Sequence, residues 1–504
     1  MNGSDRSGKS KNISTGIDGF DGILDGGYAS NRVHLVEGQP GTGKTTLALQ
    51  FLMQGAAAGE RCLYITLSES KDELEQVAET HGWDLGGVDI FELVPAELSL
   101  DPQQRQTVVY ASDLELGETT RMTFDEVKRV APSRVVFDSL SEIRLLAQNP
   151  LRYRRQVIGL KHFFAQQRCT TLFLDDLTEE ADDQNLHSLV HGVVRLEHYA
   201  LQYGAERRRL RIFKMRGRSF RGGYHDFLIR KGGIALFPRL VAAEHADGTK
   251  ITEPILSGIP ELDQLLGGGL DRGTNTLLIG PSGSGKSSLA MQFVTAALDR
   301  GERALFVTFD ETKSILHKRA SGMGWHLEAP IASGHLILEQ VDPAELSPGE
   351  LTGMVRRRVE VDDVRIVVLD SLSGYQNAIP AEQFMLLLMH EMLTYLNHRG
   401  VVTILTLAQH GLVGPMQSSV DLTYLSDTVL LLRFFEAAGK IRRAISVLKK
   451  RTGRHEDEIR EYRLDNHGIR VGPPLSEFQG VLSGTPTYTG QHGVLLGAAA
   501  NGSA

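Results

Sequence analysis

Along this chain, short β-branched apolar runs alternate with longer amphipathic segments. In the first half the order is Val33-His-Leu-Val36, Thr45–Ala58, Cys62-Leu-Tyr-Ile-Thr66 and Lys71–His81. Strands that alternate with helices need crossover connections, which predicts a mostly parallel sheet covered on both faces. The continuous apolar runs Arg134-Val-Val-Phe137 and Arg365-Ile-Val-Val-Leu369 fit central strands of such a sheet. The longest run, Thr428-Val-Leu-Leu-Leu-Arg433-Phe-Phe, is broken by an arginine. It falls well short of the ~18 apolar residues of a membrane span. The opening MNGSDRSGKSKN has no apolar core and does not read as a signal peptide. Phe478–Ala504 is rich in Gly, Thr and Ala, and residues 489–504 are expected to form a flexible tail.

The pattern occurs twice. Thr15-Gly-Ile17 recurs as Ser257-Gly-Ile259, Gly38-Gln-Pro-Gly-Thr-Gly-Lys-Thr45 as Gly280-Pro-Ser-Gly-Ser-Gly-Lys-Ser287, and Gly82-Trp83 as Gly324-Trp325, all offset by 242. The offset falls to 232 between Asp138 and Asp370 and to 235 between Lys214 and Lys449, so later loops differ in length. A repeat this long is a duplicated domain rather than a solenoid unit. The boundary is expected in the polar stretch Ala242–Glu253, giving domains over residues 13–245 and 250–488.

Composition narrows the class. The 504 residues allow two to four domains at ~100–200 residues each. With 41% hydrophobic and 23% charged residues the chain is too apolar to be disordered. A net charge of −8 makes it a poor coat for nucleic acid, so DNA is not an expected partner. The two cysteines, Cys62 and Cys169, lie in no metal or redox spacing, which argues against a disulfide scaffold or structural zinc. These features together predict a cytoplasmic, multidomain protein.

The GxxxxGK[ST] pattern follows an apolar strand and precedes a helix in both halves, the context in which it binds phosphate. Glycines let successive N–H groups face phosphate oxygens, and the helix N-terminus adds its positive dipole end. The predicted ATP contacts are Gly41, Thr42, Gly43, Lys44, Thr45 and Thr46, then Gly283, Ser284, Gly285, Lys286, Ser287 and Ser288. Lys44 and Lys286 are expected on the β/γ-phosphates, and the Thr45 and Ser287 hydroxyls on Mg²⁺. Asp138 and Asp370, each ending an apolar strand before Ser-Leu-Ser, are the expected acidic partners of the metal, although an aspartate there also serves as a helix cap.

Hydrolysis or phosphotransfer also needs a carboxylate to accept a proton. The next strand ends in Thr66-Leu-Ser-Glu69 and in Thr308-Phe-Asp-Glu311. Glu69 is therefore the base candidate of the first half, Asp310 and Glu311 those of the second. The plainer reading is that these acids begin a helix and favour its dipole.

Arg207–Arg221 holds eight Arg/Lys in fifteen residues, echoed weakly by Lys440–Arg454. Three readings stay open: a phosphate-rich polymer or membrane surface, a solvated charged strand, or a clamp on bound nucleotide. The clamp is suggested by Lys214/Arg216 and Lys449/Arg451, whose i, i+2 spacing puts each pair on one strand face, as for an arginine finger reaching a neighbouring subunit's ATP.

The duplicated P-loop, the Thr15-Gly-Ile17 and Leu266-Gly-Gly-Gly269 lead-ins, the Thr-Leu-Ser-Glu and Thr-Phe-Asp-Glu strand ends, and the Lys-Met-Arg-Gly and Lys-Lys-Arg segments resemble the KaiC family over roughly Ile13 to Tyr488. That resemblance implies tandem RecA-like α/β domains, two stacked rings in a homo-hexamer, and ATP held between subunits. It places Lys214, Arg216, Lys449 and Arg451 on the trans contacts to ATP, and Asp310/Glu311 and Ser68/Glu69 on the catalytic acid pairs. It also implies serine/threonine autokinase activity in the second domain, and a KaiB-like or other signalling partner. Asp310 is one methylene short of the family's glutamate, and Ser68 removes one carboxylate from the first half. The family's adjacent Ser-Thr phosphoacceptors align with Thr423-Tyr424, so Thr423 is the expected acceptor, with Ser426 and Ser418-Ser419 as fallbacks. The tail does not match the segment that binds KaiA. Two other functions compete: a DNA-dependent RecA-type ATPase, and a nucleotide-gated scaffold with little turnover.

Overall fold

A computed structural model describes residues 12–93, 111–177, 184–200, 204–245, 253–377, 382–409, 423–437, 439–482 and 487–489. The chain divides into two compact units, residues 1–239 and 240–504. The division falls a little before the expected 242–253 stretch because Leu240 and Ala242 pack into a core of the second unit. The Ala242 amide also donates to Glu391 of that unit at 3.0 Å. Of the expected tail, only Thr489 lies within the described residues.

Each unit is built on one nine-stranded sheet. In the first, the order is Val88–Glu92, Cys62–Thr66, Arg134–Asp138, Thr170–Asp176, Val33–Gly38, Gly192–Tyr199, Arg207–Met215, Tyr224–Arg230 and Gly233–Phe237. Neighbours as far as Gly192–Tyr199 are parallel, and the rest form an antiparallel meander. The second sheet has the same order: Leu336–Gln340, Arg303–Thr308, Val364–Asp370, Val402–Ala408, Asn275–Gly280, Thr428–Ala437, Lys440–Lys450, Ile459–Asp465 and Gly468–Pro474. The same parallel-to-antiparallel switch follows its sixth strand. Both units are α/β domains with a mostly parallel sheet, as the alternating pattern predicts.

Central strands have side chains on both faces, so alternate residues enter different cores. Val33, Leu35, Leu63, Ile65, Val135 and Phe137 join one core, whereas Val36, Tyr64, Val136 and Leu172 join the other with the helix Lys44–Ala57. Fully burying one such side chain contributes about 1.5–3 kcal/mol, which makes this doubly covered sheet the rigid part of the unit. The helix Lys71–His81 starts on a reciprocal cap: Ser70 accepts from the Glu73 amide, and Glu73 accepts from the Ser70 amide. Such a cap contributes about 1 kcal/mol.

The P-loop helices begin at Lys44 and Lys286, the first within one residue of the amphipathic segment expected from Thr45. Gly43 (φ 100°) and Gly285 (φ 98°) supply left-handed turns that carry each strand directly into its helix. A Cβ on Gly43 would lie 2.5 Å from Ile229 Cδ1, so a side chain there would also require Ile229 to shift.

Candidate functional site

Strand order places both P-loops at the carboxyl ends of central parallel strands, where α/β sheets bind ligands. In the first unit Lys44 folds back onto its own loop, donating to the Gly38 and Gln39 carbonyls at 3.0 and 3.1 Å. It also ion-pairs with Asp176 at 2.6 Å. Lys286 makes the same loop contacts, to the Gly280 and Pro281 carbonyls at 2.8 and 2.9 Å. By sheet register Gly38 pairs with Asp176 and Gly280 with Ala408, so the second unit has no acid at this place. Burial there pulls the Lys286 ammonium down to about 8, against an opposing effect of Asp370.

Asp176 was not among the residues singled out from sequence. Its signal was present, an acid ending the apolar strand Thr170–Asp176, the same criterion that selected Asp138. An anion on Lys44 competes with phosphate for the ammonium. Asp176→Ala in a Lys286→Ala background is therefore expected to tighten nucleotide binding at the first site several-fold, read by titration with a fluorescent ATP analogue. Unchanged or weaker binding would show that Asp176 does not compete.

The strand-end aspartates are buried and hydrogen-bonded from different sides. Asp138 accepts from the Tyr64 hydroxyl at 2.6 Å, and Tyr64 also bonds Thr45. Burial pushes the Asp138 carboxyl up to about 6, opposed by the Tyr64 bond and by Lys44. Asp370 instead accepts from Thr406 on the next strand. Thr45, Tyr64 and Asp138 thus form one linked group beside the phosphate loop, while in the second unit Phe306 occupies the place of Tyr64. A serine or threonine hydroxyl with a single buried carboxylate is a hard oxygen donor set. It suits Mg²⁺, which takes few protein ligands and completes its shell with water and phosphate. Among the described residues no group of three or more His, Cys, Asp or Glu could hold a metal by itself.

The base candidates differ between units. Glu69 is half-buried, and its Oε2 makes no hydrogen bond among the described residues. Burial, then the neighbouring Asp138 and Glu73 carboxylates, push its carboxyl up to about 7. Glu311 has a cation beside it, Arg319 at 2.8 Å. Burial raises its carboxyl, while Arg319 pulls it back. The first-unit counterpart of Arg319 is Val77, so that brake is missing there. Asp310 turns toward the segment after Asp370 and accepts from the Ser371 hydroxyl at 2.5 Å. Its Oδ1 occupies space that any side chain on Gly374 would need. In the second unit Lys286, Ser287, Asp310, Glu311, Arg319 and Asp370 line one cavity of about 450 Å³.

The basic segment Arg207–Arg221 separates into tethered and nucleotide-facing candidates. Arg209 pairs with Glu197 at 2.7 Å and stacks over Tyr224 at 3.9 Å. Arg211 stacks on Phe213 at 4.8 Å, and Arg218 donates to the Gly27 carbonyl at 2.9 Å. These four-square contacts lie within the unit's own sheet and lead-in. Lys214 donates to the His187 carbonyl and Arg216 to that of Ser188. Likewise Lys449 donates to the Thr423 and Ser426 carbonyls at 2.7 Å each, and Arg451 to Tyr424 at 2.8 Å. Each lysine follows a bulge, with Phe213 or Leu448 as the extra residue, and a bulge re-aims the side chains beside it.

Register fixes where these pairs stand. Leu35 pairs with Val193 and Val193 with Lys214, so Lys214 is level with Leu35, three residues before Gly38. Leu277 pairs with Val429 and Val429 with Lys449, so Lys449 lies near the start of Asn275–Gly280. At ~3.3 Å per residue, each lysine backbone sits roughly 10 Å or more along the sheet from its own phosphate loop. Thr423 is at the same end and partly buried, whereas Ser426 is buried, which disfavours it as a fallback acceptor. Ser418 and Ser419 lie outside the described residues.

No helix among the described residues is long and apolar enough to cross a membrane. The family model described as "ATPase: KaiC" matches residues 13–241 and again 255–476. Among curated proteins, the circadian clock protein KaiC3 of Synechocystis sp. is 27% identical over 489 residues, covering 95% of both chains. The circadian clock oscillator protein KaiC of Acaryochloris marina is 27% identical, covering 94% of this chain and 91% of its own. The KaiC of Thermosynechococcus vestitus is 27% identical, covering 95% and 92%. Two sheets of identical strand order, each presenting a P-loop with a strand-end aspartate beside it, agree with a match that recurs in both halves: this chain belongs to the KaiC family of ATPases.

Proposed function

We propose that this protein binds Mg-ATP on both P-loops, completes each site with the Lys-x-Arg strand of a second copy in a homo-hexamer, hydrolyses ATP, and phosphorylates its own second domain. The carrying observation is the separation along the sheet: Lys214 and Lys449 stand level with Leu35 and Leu277, each three residues back from the strand end that leads into the P-loop. A pair so placed serves a neighbour's nucleotide, not its own. That the relatives are circadian clock proteins supports a signalling role of the same kind. A KaiB-like or other signalling protein is the proposed partner.

In this reading the P-loop amides and Lys44 or Lys286 cradle the phosphates, which requires Lys44 to leave Asp176. Thr45 with Asp138, and Ser287 with Asp370, hold Mg²⁺, whose charge when bound offsets that on the β- and γ-phosphate oxygens. Glu69 takes a proton from the attacking water in the first unit, and Glu311, with Asp310 beside it, from water or the Thr423 hydroxyl in the second. Thr423 lies at the Lys449 end of its unit, so its phosphate comes from the nucleotide of an adjacent copy.

Incubation with Mg-ATP followed by phosphopeptide mapping is expected to find phosphate between Gln417 and Thr428, reduced in Glu311→Gln. ATP turnover with no phosphate there would leave an ATPase and remove the kinase. Turnover that depends on added single-stranded DNA would favour the recombinase-type alternative instead.

A further inference from the structure

The start of the P-loop strand in the first unit borders a second cavity, of about 370 Å³, lined in part by Arg32, Lys161, His191 and Arg216. It lies at the end of the sheet away from the unit's own phosphate loop, since Val33 begins the strand that ends at Gly38. Among the described residues no acidic one lines it. Among the described residues neither the Arg32 nor the Lys161 side chain has an ion pair. Lys214 and Arg216 are close enough to add to the same field: burial, then Arg216 and Arg32, pull the Lys161 ammonium down, and burial, then Arg216 and Lys161, do so for Lys214. The Nε2 of His191 is buried with no hydrogen-bond partner among the described residues. Like charges gathered around a cavity without a counter-charge oppose folding, and a bound anion relieves that repulsion.

The second unit shows what this corner needs merely to fold. The Thr171 amide donates to Arg32 and the Thr403 amide to Thr274, each at 3.0 Å, which makes Thr274 the counterpart of Arg32. The His191 amide donates to Val33 and the Asp427 amide to Asn275, so Asp427 replaces His191. Lys161, three residues before Phe164, corresponds to Leu393, three before Leu396, because the Cys169 and Val401 amides cap those turns alike. The second unit thus has a threonine, a leucine and an aspartate where the first has an arginine, a lysine and a histidine. Its Asp427 lies 3.5 Å from Arg451 and balances that charge. The fold does not require the extra cations.

We infer that Arg32 and Lys161 extend the Lys214/Arg216 pair into a four-cation receptor, particular to the first unit, for the polyphosphate of a nucleotide carried by a second copy of this chain. The inference rests on the proposed placement of nucleotide between copies. Its chemistry is phosphate recognition by a point-charge lysine and planar guanidinium groups. The alternative source of the same chemistry is free polyphosphate or inorganic phosphate.

The test uses full-length Lys286→Ala, so that only the first site carries nucleotide, and follows ATP-dependent self-association by light scattering. Arg32→Thr and Lys161→Met are made singly and together in that background, as near-copies of what the second unit tolerates, with melting temperature as the folding control. The double substitution is expected to raise the ATP concentration for half-maximal association at least tenfold. An unchanged midpoint in folded variants, with the parent still associating, overturns the receptor alone. A parent that stays monomeric in saturating Mg-ATP overturns the placement of nucleotide between copies, and the receptor with it. In a third arm, tripolyphosphate is added to Lys44→Ala/Lys286→Ala protein. A melting-temperature rise there that vanishes with Arg32→Thr/Lys161→Met, together with an association midpoint that the double substitution leaves unchanged, assigns the cavity to free phosphate and overturns the second-copy source.

Discussion

Lys449→Ala/Arg451→Ala is expected to lose ATP turnover in the second unit by about 10³-fold or more, the scale on which an arginine supplied from outside a phosphate site acts. The measurement is made in a Lys44→Ala background, which leaves the second P-loop as the only source of turnover. Lys449 and Arg451 do not line the second unit's nucleotide cavity, so direct loss of ATP binding within the same chain does not account for the effect. Removing Lys449 also strips a donor from the Thr423 and Ser426 carbonyls, at a cost of about 1–3 kcal/mol if water does not replace it. A melting curve therefore accompanies the rate. The decisive step is mixing this variant with Asp310→Ala/Glu311→Ala chains. Interfaces that combine the intact acids of one with the intact cations of the other contain one complete site, and turnover should return. No recovery after confirmed subunit exchange would place the Lys-x-Arg pair outside the neighbouring site.

Glu69→Gln in a Lys286→Ala background should lower first-unit hydrolysis by about 10²–10⁴-fold, the range for removing a general base. The wild-type kcat/KM at this site should rise with pH through about 7, where burial and nearby carboxylates have moved the Glu69 carboxyl of the free protein. The sign follows from its role: below that pH the group is protonated and cannot accept a proton, above it the carboxylate is free to do so. Stability runs the other way. A carboxyl raised from 4.5 to about 7 in the folded chain contributes stability below 4.5 that is lost as pH rises toward 7. Activity and stability thus separate across the same window. A rate flat across it, or full activity in Glu69→Gln, would remove Glu69 from this role despite its position.

Much of the site was legible because its chemistry is local in the chain. The phosphate loop needs glycines at fixed spacing between a strand and a helix, so eight consecutive residues announce it in each half. Strand-end acids such as Asp138 and Asp370 could be picked out for a similar reason, since an acid ending an apolar run stands where a parallel sheet delivers its ligands. The duplicated pattern likewise anticipated the two sheets of matching order.

What remained hidden depends on residues distant in sequence. Lys44 and Asp176 meet only because two non-consecutive strands are neighbours, and Ala408 at the equivalent place shows that the repeat does not carry the pair. Arg319 beside Glu311, with Val77 in the other half, gives two similar strand ends different electrostatics. The gathering of Arg32, Lys161 and Arg216 around one cavity has no local pattern at all. Local spacing determined where this protein can hold phosphate. Sheet order determined which charges surround each loop and on which side of the unit the Lys-x-Arg pairs stand, because pairing between strands, unlike a turn or a helix, joins residues whatever their separation along the chain.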